Sequence, residues 1–446
     1  MLRFVLLAVL AVGLADGLVM RAPFSKRDTL QAKLMREKRY HEMRVLHRVR
    51  LANFAQQLGG AQRLDVSRQP FYDYGDSEYN IQVGIGTPPQ MFEVLADTAE
   101  ANTWVVDKTC DGNNSYYDCP SFCTLSEVWC SSFCEDYCCN LQASTPAMSR
   151  PQRLDGGYGD PCANKNLFDS SASSTYQSTG NTFLIPVGLG NVSGVIGLDT
   201  YTLGDISGSA TIGIPNTQFG QADRLSVSFT GTLFHGVLGL GWPKAAFSGE
   251  QPVFQHAMEL GLFDDNVFTI FLENEGRSSM DTPAGALTFG GFDSDHCDSE
   301  IYFIALQHGS VWWFNTAGFG TNGNEIQGTY LTLASLSTTI NLIPPTGMME
   351  LVKTTKANYD YTYGFYSVDC SITFTWTVYL DDAEIVIDQT NLLLPGPDDG
   401  CFLAFASYDD DAYGIQMILG TPFLKSVCSV YDVGNRQIGF ANKLTA

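Results

Sequence analysis

Two short segments of the sequence share one pattern, and the difference between them limits the chemistry they can do. Residues 95–99 read Leu-Ala-Asp-Thr-Ala, and residues 333–337 read Leu-Ala-Ser-Leu-Ser. A carboxylate such as Asp97 can take or give a proton during hydrolysis, and a second carboxylate beside it could share that proton. Ser335 occupies the matching position, and its hydroxyl cannot share a proton in this way at neutral or acidic pH. The pattern predicts two homologous halves of the chain, of which only the first has an acid at this position.

The spacing around these segments indicates two similar lobes, one of them interrupted by an insertion. Each segment is followed by an apolar-apolar-Gly triplet, at residues 237–239 and 418–420. The separation between position 97 and its triplet is much larger than the separation between position 335 and its own triplet. The excess nearly equals the length of a Cys-rich stretch at residues 108–165. Without that stretch, the two halves have nearly equal lengths.

Short strands and turns dominate the sequence after the N-terminal region. Tyr79, Ile81, Val83 and Ile85 alternate with polar or small residues, and a Gly-Thr-Pro-Pro turn follows them. Such period-two alternation is typical of β-strands. The 43 glycines, 20 tyrosines and 28 phenylalanines favour a β-rich protein with many turns. We therefore predict an all-β body.

Five stretches in the same order along the chain resemble the secreted, pepsin-like aspartic endopeptidases of eukaryotes. They are residues 79–90 (YNIQVGIGTPPQ), 168–176 (FDSSASSTY), 234–241 (FHGVLGLG), 419–424 (LGTPFL) and 431–441 (YDVGNRQIGFA). The resemblance implies a bilobal β fold with a central cleft and a hairpin flap over the cleft, and the spacing described above places a disulfide-rich insertion in the first lobe. We place the N-terminal lobe at residues 69–272 and the C-terminal lobe at residues 273–446.

The resemblance also implies a catalytic pair of aspartates, one from each lobe, that share one proton on the cleft floor. Asp97 is the retained first-lobe acid, and Ser335 replaces the second. Leu336 replaces a threonine whose hydroxyl would bond to that of Thr98. No Asp or Glu lies between Glu325 and Glu350, so a small shift in alignment cannot supply the missing acid. The resemblance implies three further positions on the cleft floor: Ala99, Ser337 and Thr338. Ala99 and Ser337 each replace a glycine of the family.

The flap is expected to be altered as well. The resemblance places Val187 where the family has a flap tyrosine, whose hydroxyl would meet the indole of the residue matched here by Trp104. Valine cannot make that hydrogen bond. We therefore predict a chain with little or no peptidase activity, although the scaffold stretches are retained.

The 12 cysteines form two groups with even counts. In similar proteases, the spacing of second-lobe disulfides matches the pairs Cys370–Cys401 and Cys297–Cys428. The first group comprises Cys110, Cys119, Cys123, Cys130, Cys134, Cys138, Cys139 and Cys162. Eight cysteines allow 105 pairings, so the sequence leaves the pairing within this group open. We expect neither a metal site nor a cofactor, since the spacing and the lack of histidines among these cysteines disfavour zinc.

The N-terminal region predicts secretion and an intramolecular partner. Residues 1–17 carry an apolar run too short to span a membrane, which is typical of a signal peptide. Residues 18–68 carry a net charge of +8, whereas the chain after them carries −31, and the run from Thr29 to Leu58, which has no Pro or Gly, predicts a basic amphipathic helix. We expect this propeptide-like segment to dock on the acidic body. The strongly negative body excludes nucleic acid as a natural partner, and no other segment is long and apolar enough to span a membrane.

Two N-glycosylation sequons are present, at Asn113 in the insertion and at Asn191 in the predicted flap. Together these features favour a secreted binding protein that recognises a peptide, protein or glycan through its cleft or its Cys-rich insertion. Two alternatives stay open: an active aspartic endopeptidase that uses Asp97 in an atypical site, and a structural or storage glycoprotein.

Overall fold

The computed structural model describes residues 20–26, 79–111, 160–187, 190–204, 211–226, 229–230, 232–246, 251–274, 282–307, 311–396, 399–409 and 414–444. The predicted signal peptide, the predicted basic helix and residues 112–159 of the insertion lie outside these ranges. The docking of the basic segment on the body stays a prediction. No helix among the described residues is long and apolar enough to cross a membrane.

The described body is mostly β, in agreement with the predicted class. Before residue 306 its strands are β1 Met20–Lys26, β2 Asn80–Ile85, β3 Gln90–Asp97, β4 Trp104–Val106, β5 Gln177–Val187, β6 Gly190–Gly204, β7 Thr211–Leu225, β8 Gly236–Gly239, β9 Val267–Leu272, β10 Thr282–Phe289 and β11 Cys297–Ala305. The later strands are β12 Trp313–Thr321, β13 Asn324–Ala334, β14 Asn341–Ile343, β15 Asn358–Asp360, β16 Phe365–Val368, β17 Thr375–Tyr379, β18 Glu384–Asp388, β19 Leu393–Pro395, β20 Cys401–Leu403, β21 Phe405–Ser407, β22 Met417–Leu419, β23 Cys428–Asp432 and β24 Gln437–Lys443.

Short α-helices interrupt the strands. The described ones are α1 Val253–Glu259, α2 Pro345–Thr355 and α3 Thr421–Leu424. Helix α2 has proline at its first position, where a missing N–H costs no hydrogen bond. It ends at Thr355, and the following residue, Lys356, caps it with a left-handed backbone at φ 56°.

Three sheets organise the described strands. The largest runs in the order β11-β24-β23-β9-β10-β1-β2-β3-β8-β4-β7-β6-β5. The second runs β18-β17-β12-β13-β22-β14-β21, and the third runs β15-β16-β20-β19. Strand β1 comes from the segment expected to be a basic propeptide, yet it lies inside the largest sheet, where it pairs with β10 and β2.

Strand β2 shows how the predicted alternation relates to the observed burial. Tyr79, Ile81, Val83 and Ile85 are each at most 1% exposed, as the period-two pattern predicted. Within β2, however, Gln82 is the exposed position and the other residues are buried. The opposite face is buried as well, because the Asn80 amide donates to Glu93 and Gly84 lies close to Pro89 and Thr202.

Aromatic side chains connect the lobes below the predicted cleft. Trp312, just before β12, donates its indole N–H to the carbonyl of Leu240 at 3.0 Å. Its ring centroid lies 5.2 Å from that of Trp242 and 4.8 Å from that of Tyr431. Residues from distant parts of the chain therefore form one buried cluster beneath the ends of β3 and β8.

Candidate functional site

The two sequence segments that share a pattern end in similar structural positions. Strand β3 ends at Asp97 and runs parallel to β8, with Asp97 opposite Gly239. Strand β13 ends at Ala334 and runs parallel to β22, with Ala334 opposite Leu419. In both lobes the chain then turns directly after the strand.

The two turns meet through Thr98. Its hydroxyl accepts a hydrogen bond from the N–H of Leu336 at 2.9 Å and donates to the carbonyl of Ala334 at 3.4 Å. Leu336 has no hydroxyl, so Thr98 lacks a symmetric side-chain partner, and its bonds go to the second lobe's backbone instead. The residues on either side of Ser335 thus both contact the residue that follows Asp97. The contact from Thr98 to the second lobe is therefore present, whereas Leu336 cannot make the equivalent side-chain contact with the first lobe.

Removing this contact should destabilise the junction of the lobes. In Thr98→Val the side-chain volume is kept, but the buried N–H of Leu336 loses its acceptor. A buried donor without a partner costs about 1–3 kcal/mol, and we expect a loss of that size in the free energy of unfolding measured with urea. Thr338→Val is the matched control, because its hydroxyl donates at 2.8 Å to another hydroxyl, that of Ser335, which can turn to other partners. Equal stability of the two variants would contradict a special role for Thr98.

Asp97 keeps a well-ordered turn around its carboxylate. Its Oδ1 accepts the N–H groups of Ala99 at 2.8 Å and Glu100 at 3.2 Å. Ala99 is 5% exposed and is not among the residues with positive φ, so its backbone does not require glycine. The backbone of the first-lobe turn is therefore compatible with alanine at this position.

The second-lobe half presents hydroxyl groups where the resemblance implied a carboxylate. The Ser335 side chain is fully buried, and its Oγ accepts a hydrogen bond from Thr338 Oγ1. Ser337 Oγ lies 3.2 Å from the same oxygen. A hydroxyl group in these surroundings can take part in hydrogen bonds, but it cannot hold a shared carboxyl proton.

Trp104 is a core residue. It is 1% exposed, and its ring meets that of Phe229 edge-on at a centroid distance of 5.8 Å. Its buried indole nitrogen has no hydrogen-bond partner within the described part of the chain. The backbone of Val187 ends β5 opposite Gly190, and its side chain lies outside the described part. The replacement of a flap tyrosine by Val187 stays a prediction.

Sequence reasoning missed Glu100, a buried acid within the same turn as Asp97. Its side chain is 3% exposed, and its Oε1 accepts the N–H groups of Ala101 at 3.0 Å and Asn102 at 2.9 Å, as well as the Asn102 side-chain amide. Burial raises the pKa of Glu100 to about 8; hydrogen bonds from Asn102 oppose this rise, and the charge of Asp97 adds to it. The available signal was an acid between two alanines in a stretch expected to be buried.

Disulfides join three pairs of cysteines among the described residues. Cys297–Cys428 and Cys370–Cys401 are the pairs that the resemblance implied, and Cys110–Cys162 joins the ends of the insertion. Cys119, Cys123, Cys130, Cys134, Cys138 and Cys139, together with Asn113, lie outside the described residues. Structural disulfides are typical of proteins in the secretory pathway.

Two further predictions concern modification and metals. Asn191 follows Gly190 in the flap hairpin, and its backbone N–H donates to Ser226 Oγ at 2.7 Å. Its glycosylation stays a prediction. Within the described ranges, no group of three or more His, Cys, Asp or Glu residues is placed to hold a metal ion.

Comparison with known proteins agrees with this architecture. The sequence model of the family "Eukaryotic aspartyl protease" matches residues 78–443. Aspartic protease 2 of Necator americanus is 31% identical over 84% of this chain and 85% of its own length. Aspartic protease 1 of Caenorhabditis elegans is 28% identical over 99% of this chain and 98% of its own. Pepsin A of Rhinolophus ferrumequinum is 28% identical over 98% of each chain. Because the family model spans both lobes and both turns of the site, the chain belongs to the eukaryotic aspartyl protease family.

Proposed function

We propose that this chain is a secreted, pepsin-like binding protein with little or no peptidase activity. The observation that carries the proposal is the hydroxyl cluster of the buried Ser335 and the half-buried Ser337 and Thr338 in place of a second carboxylate. Two carboxylates that share a proton can supply a base for the attacking water and an acid for the substrate carbonyl. Asp97 alone cannot fill both roles in one step. A cleavage assay across acidic pH, described in the Discussion, tests the loss of this chemistry.

The retained turn around Asp97 supports the competing function, an atypical aspartic endopeptidase. Its carboxylate still accepts two backbone N–H groups, so the first-lobe geometry is intact. This alternative requires another group to protonate the substrate carbonyl. The second-lobe hydroxyls are poor acids, which is why we favour binding over cleavage.

The Cys-rich insertion is the surface we propose for recognition. Its ends are close together, because Cys110 and Cys162 are bonded with their Cα atoms 5.9 Å apart. Next to them, Asp107 forms a β-bridge with Phe168. The chain just before the insertion is thus paired with the chain just after it. A loop held by disulfides keeps one shape at a lower entropic cost of binding, which suits recognition.

The lysines at the base of the insertion should be kept when it is shortened. Lys165 donates to the carbonyls of Thr232 at 2.9 Å and Phe234 at 3.1 Å. Lys108 forms an ion pair with Asp169. The appropriate variant therefore replaces residues 111–161 with a short Gly/Ser linker and retains both lysines and the disulfide between Cys110 and Cys162.

We expect this shortened protein to fold and to lose its ligand. Thermal denaturation should show a cooperative transition, because the base and both lobes are intact. A peptide and glycan array probed with the full chain should give signals that the shortened chain lacks. Misfolding would show that the insertion is structural, and unchanged array signals would place recognition in the cleft or elsewhere.

A further inference from the structure

The C-terminal lobe contains a pocket of about 540 Å³ that the site described above does not use. It is lined by the C-terminal end of α2, by β15 and β16, and by the residues on either side of Cys370. Small-molecule sites commonly have volumes of about 300–1,000 Å³. The lining includes no residue of the turns at Asp97 and Ser335 and no residue of the insertion at 108–165. The pocket is therefore built from different parts of the chain.

Pairing between strands and a disulfide hold the walls of this pocket in place. Asn358 on β15 lies opposite Ser367 on β16, and Ser367 Oγ donates to the carbonyl of Asn358 at 3.1 Å. Strand β16 pairs in turn with β20. The disulfide Cys370–Cys401 ties the segment after β16 to the same strand. Walls that are fixed before binding lower the entropic cost of holding a ligand.

Asp369 presents a carboxylate to this pocket. Its Oδ1 accepts the backbone N–H of Ser371 at 2.9 Å and the Ser371 hydroxyl at 2.8 Å. These hydrogen bonds lower the pKa of Asp369, so its side chain is ionised at neutral pH. Within the part of the chain that the structure describes, its Oδ2 has no protein hydrogen-bond or ion-pair partner. That oxygen can accept a hydrogen bond from a ligand.

Lys356 and Asn358 supply complementary groups to the same pocket. The ammonium of Lys356 is a donor, and the amide of Asn358 can both donate and accept. Among the described residues, neither side chain forms a hydrogen bond or an ion pair with the protein. Val368 and Ile372 add a small aliphatic surface. The pocket thus combines a charged acceptor, a charged donor and an amide with limited apolar area.

This combination of groups fits a neutral sugar better than an anionic or an apolar ligand. Each sugar hydroxyl can both donate and accept, so neighbouring hydroxyls can donate to Asp369 and accept from Lys356. The C–H groups of the sugar ring can pack on Val368 and Ile372. An anionic ligand would be repelled by Asp369 and by the net charge of −31 on the chain after residue 68. An apolar ligand would desolvate the carboxylate and the ammonium without pairing them.

We propose that this pocket binds a neutral sugar residue of a glycan, with Asp369 as acceptor, Lys356 as donor and Asn358 as both. The proposal goes beyond recognition by the Cys-rich insertion, because it adds a second site in the other lobe. It requires neither Asp97 nor the insertion.

The test is an array of immobilised neutral glycans, acidic glycans and peptides, probed with the full chain and its Asp369→Asn variant. Asparagine keeps an acceptor oxygen for Ser371 but removes the charge that strengthens a hydrogen bond to a ligand. We expect the full chain to bind neutral glycans and the variant to bind them about tenfold more weakly. Lys356→Gln, which removes the charged donor at an exposed position, should weaken the same signals.

Asp388→Asn is the matched control. Asp388 lies in the same lobe but outside the pocket, and its Oδ1 accepts the N–H of Thr390 at 2.8 Å in a turn like that of Asp369. Its signals should equal those of the wild type, and thermal denaturation should show that all three variants are folded. If Asp369→Asn does not fold, Lys356→Gln decides the test alone.

The array also separates this pocket from the insertion. Signals from the pocket should persist in the shortened protein and fall in Asp369→Asn, whereas signals from the insertion should do the reverse. The proposal is overturned if no neutral glycan binds, or if only acidic glycans or peptides bind. Neutral-glycan binding that is unchanged in the folded Asp369→Asn or Lys356→Gln variant would overturn it as well.

Discussion

The purified protein, with or without residues 1–68, is expected not to cleave denatured protein substrates between about pH 2 and 6, the range in which a shared carboxyl proton is available. Losing a general acid or base usually lowers the rate by about 10²–10⁴-fold. Members of a catalytic pair act as a unit, so the loss should lie at or beyond the upper end of that range. Peptide release followed by mass spectrometry provides the measurement.

The Asp97→Asn variant is the control that separates this protein's own activity from that of contaminants. Any trace cleavage should be the same in both proteins. Cleavage that disappears in Asp97→Asn would show that Asp97 is catalytic and would contradict the proposed function. Ser335→Asp alone should restore little activity, because Leu336 still lacks the hydroxyl of the family's threonine and Val187 still replaces the flap tyrosine.

Gly236→Ala is expected to cause a larger loss of stability than Thr98→Val. A Cβ atom at Gly236 would lie 2.1 Å from the carbonyl oxygen of Trp104 and 2.8 Å from the Cα of Val105. Both are backbone atoms of β4, which pairs with β8 at this point, so they cannot move aside as a flexible side chain could. Overpacking a well-packed core costs about 1–3 kcal/mol or more, and the rigid neighbours here favour values above that range.

Gly213→Ala is the matched control for this glycine effect. Gly213 also lies in a strand, β7, but its nearest potential contact is the Thr200 methyl at 3.5 Å, an ordinary van der Waals distance. The variant should unfold within about 0.5 kcal/mol of the wild type in urea. Equal stability of Gly236→Ala and Gly213→Ala would contradict the conclusion that β8 lies too close to β4 to accept a side chain at position 236.

The sequence predicted well those features that depend on local pattern. Alternating apolar residues identified β2, and the repeated segments identified the turns at Asp97 and Ser335, because pattern and spacing are preserved where a scaffold is duplicated. Glu100 could not be identified in this way. Its carbonyl accepts the N–H of Gly241, which lies far later in the chain, and no local pattern carries that information.

The position of Thr98 illustrates a second limit of sequence reasoning. Because Leu336 stands where the family has a threonine, Thr98 was predicted to lack a symmetric side-chain partner. The main chain of the second lobe nevertheless supplies an acceptor and a donor at Ala334 and Leu336. Backbone N–H and C=O groups are present whatever the side chain. The contacts from Thr98 to the second-lobe backbone therefore persist although the side chain at position 336 has no hydroxyl.

Strand β1 has a consequence for how this chain can be synthesised. It is the earliest described strand, yet it pairs with β10 at residues 282–289, and beyond β10 the same sheet continues through β9 to β23 and β24 near the C-terminus. Pairings between residues so far apart in sequence are slow to form, because long loops must close first. On the ribosome, β2 emerges soon after β1, but β1 would wait for its other neighbour, β10, until residues 282–289 are made. Completion of the largest sheet is therefore a late event, and the edge of β1 that pairs with β10 is open to aggregation until then.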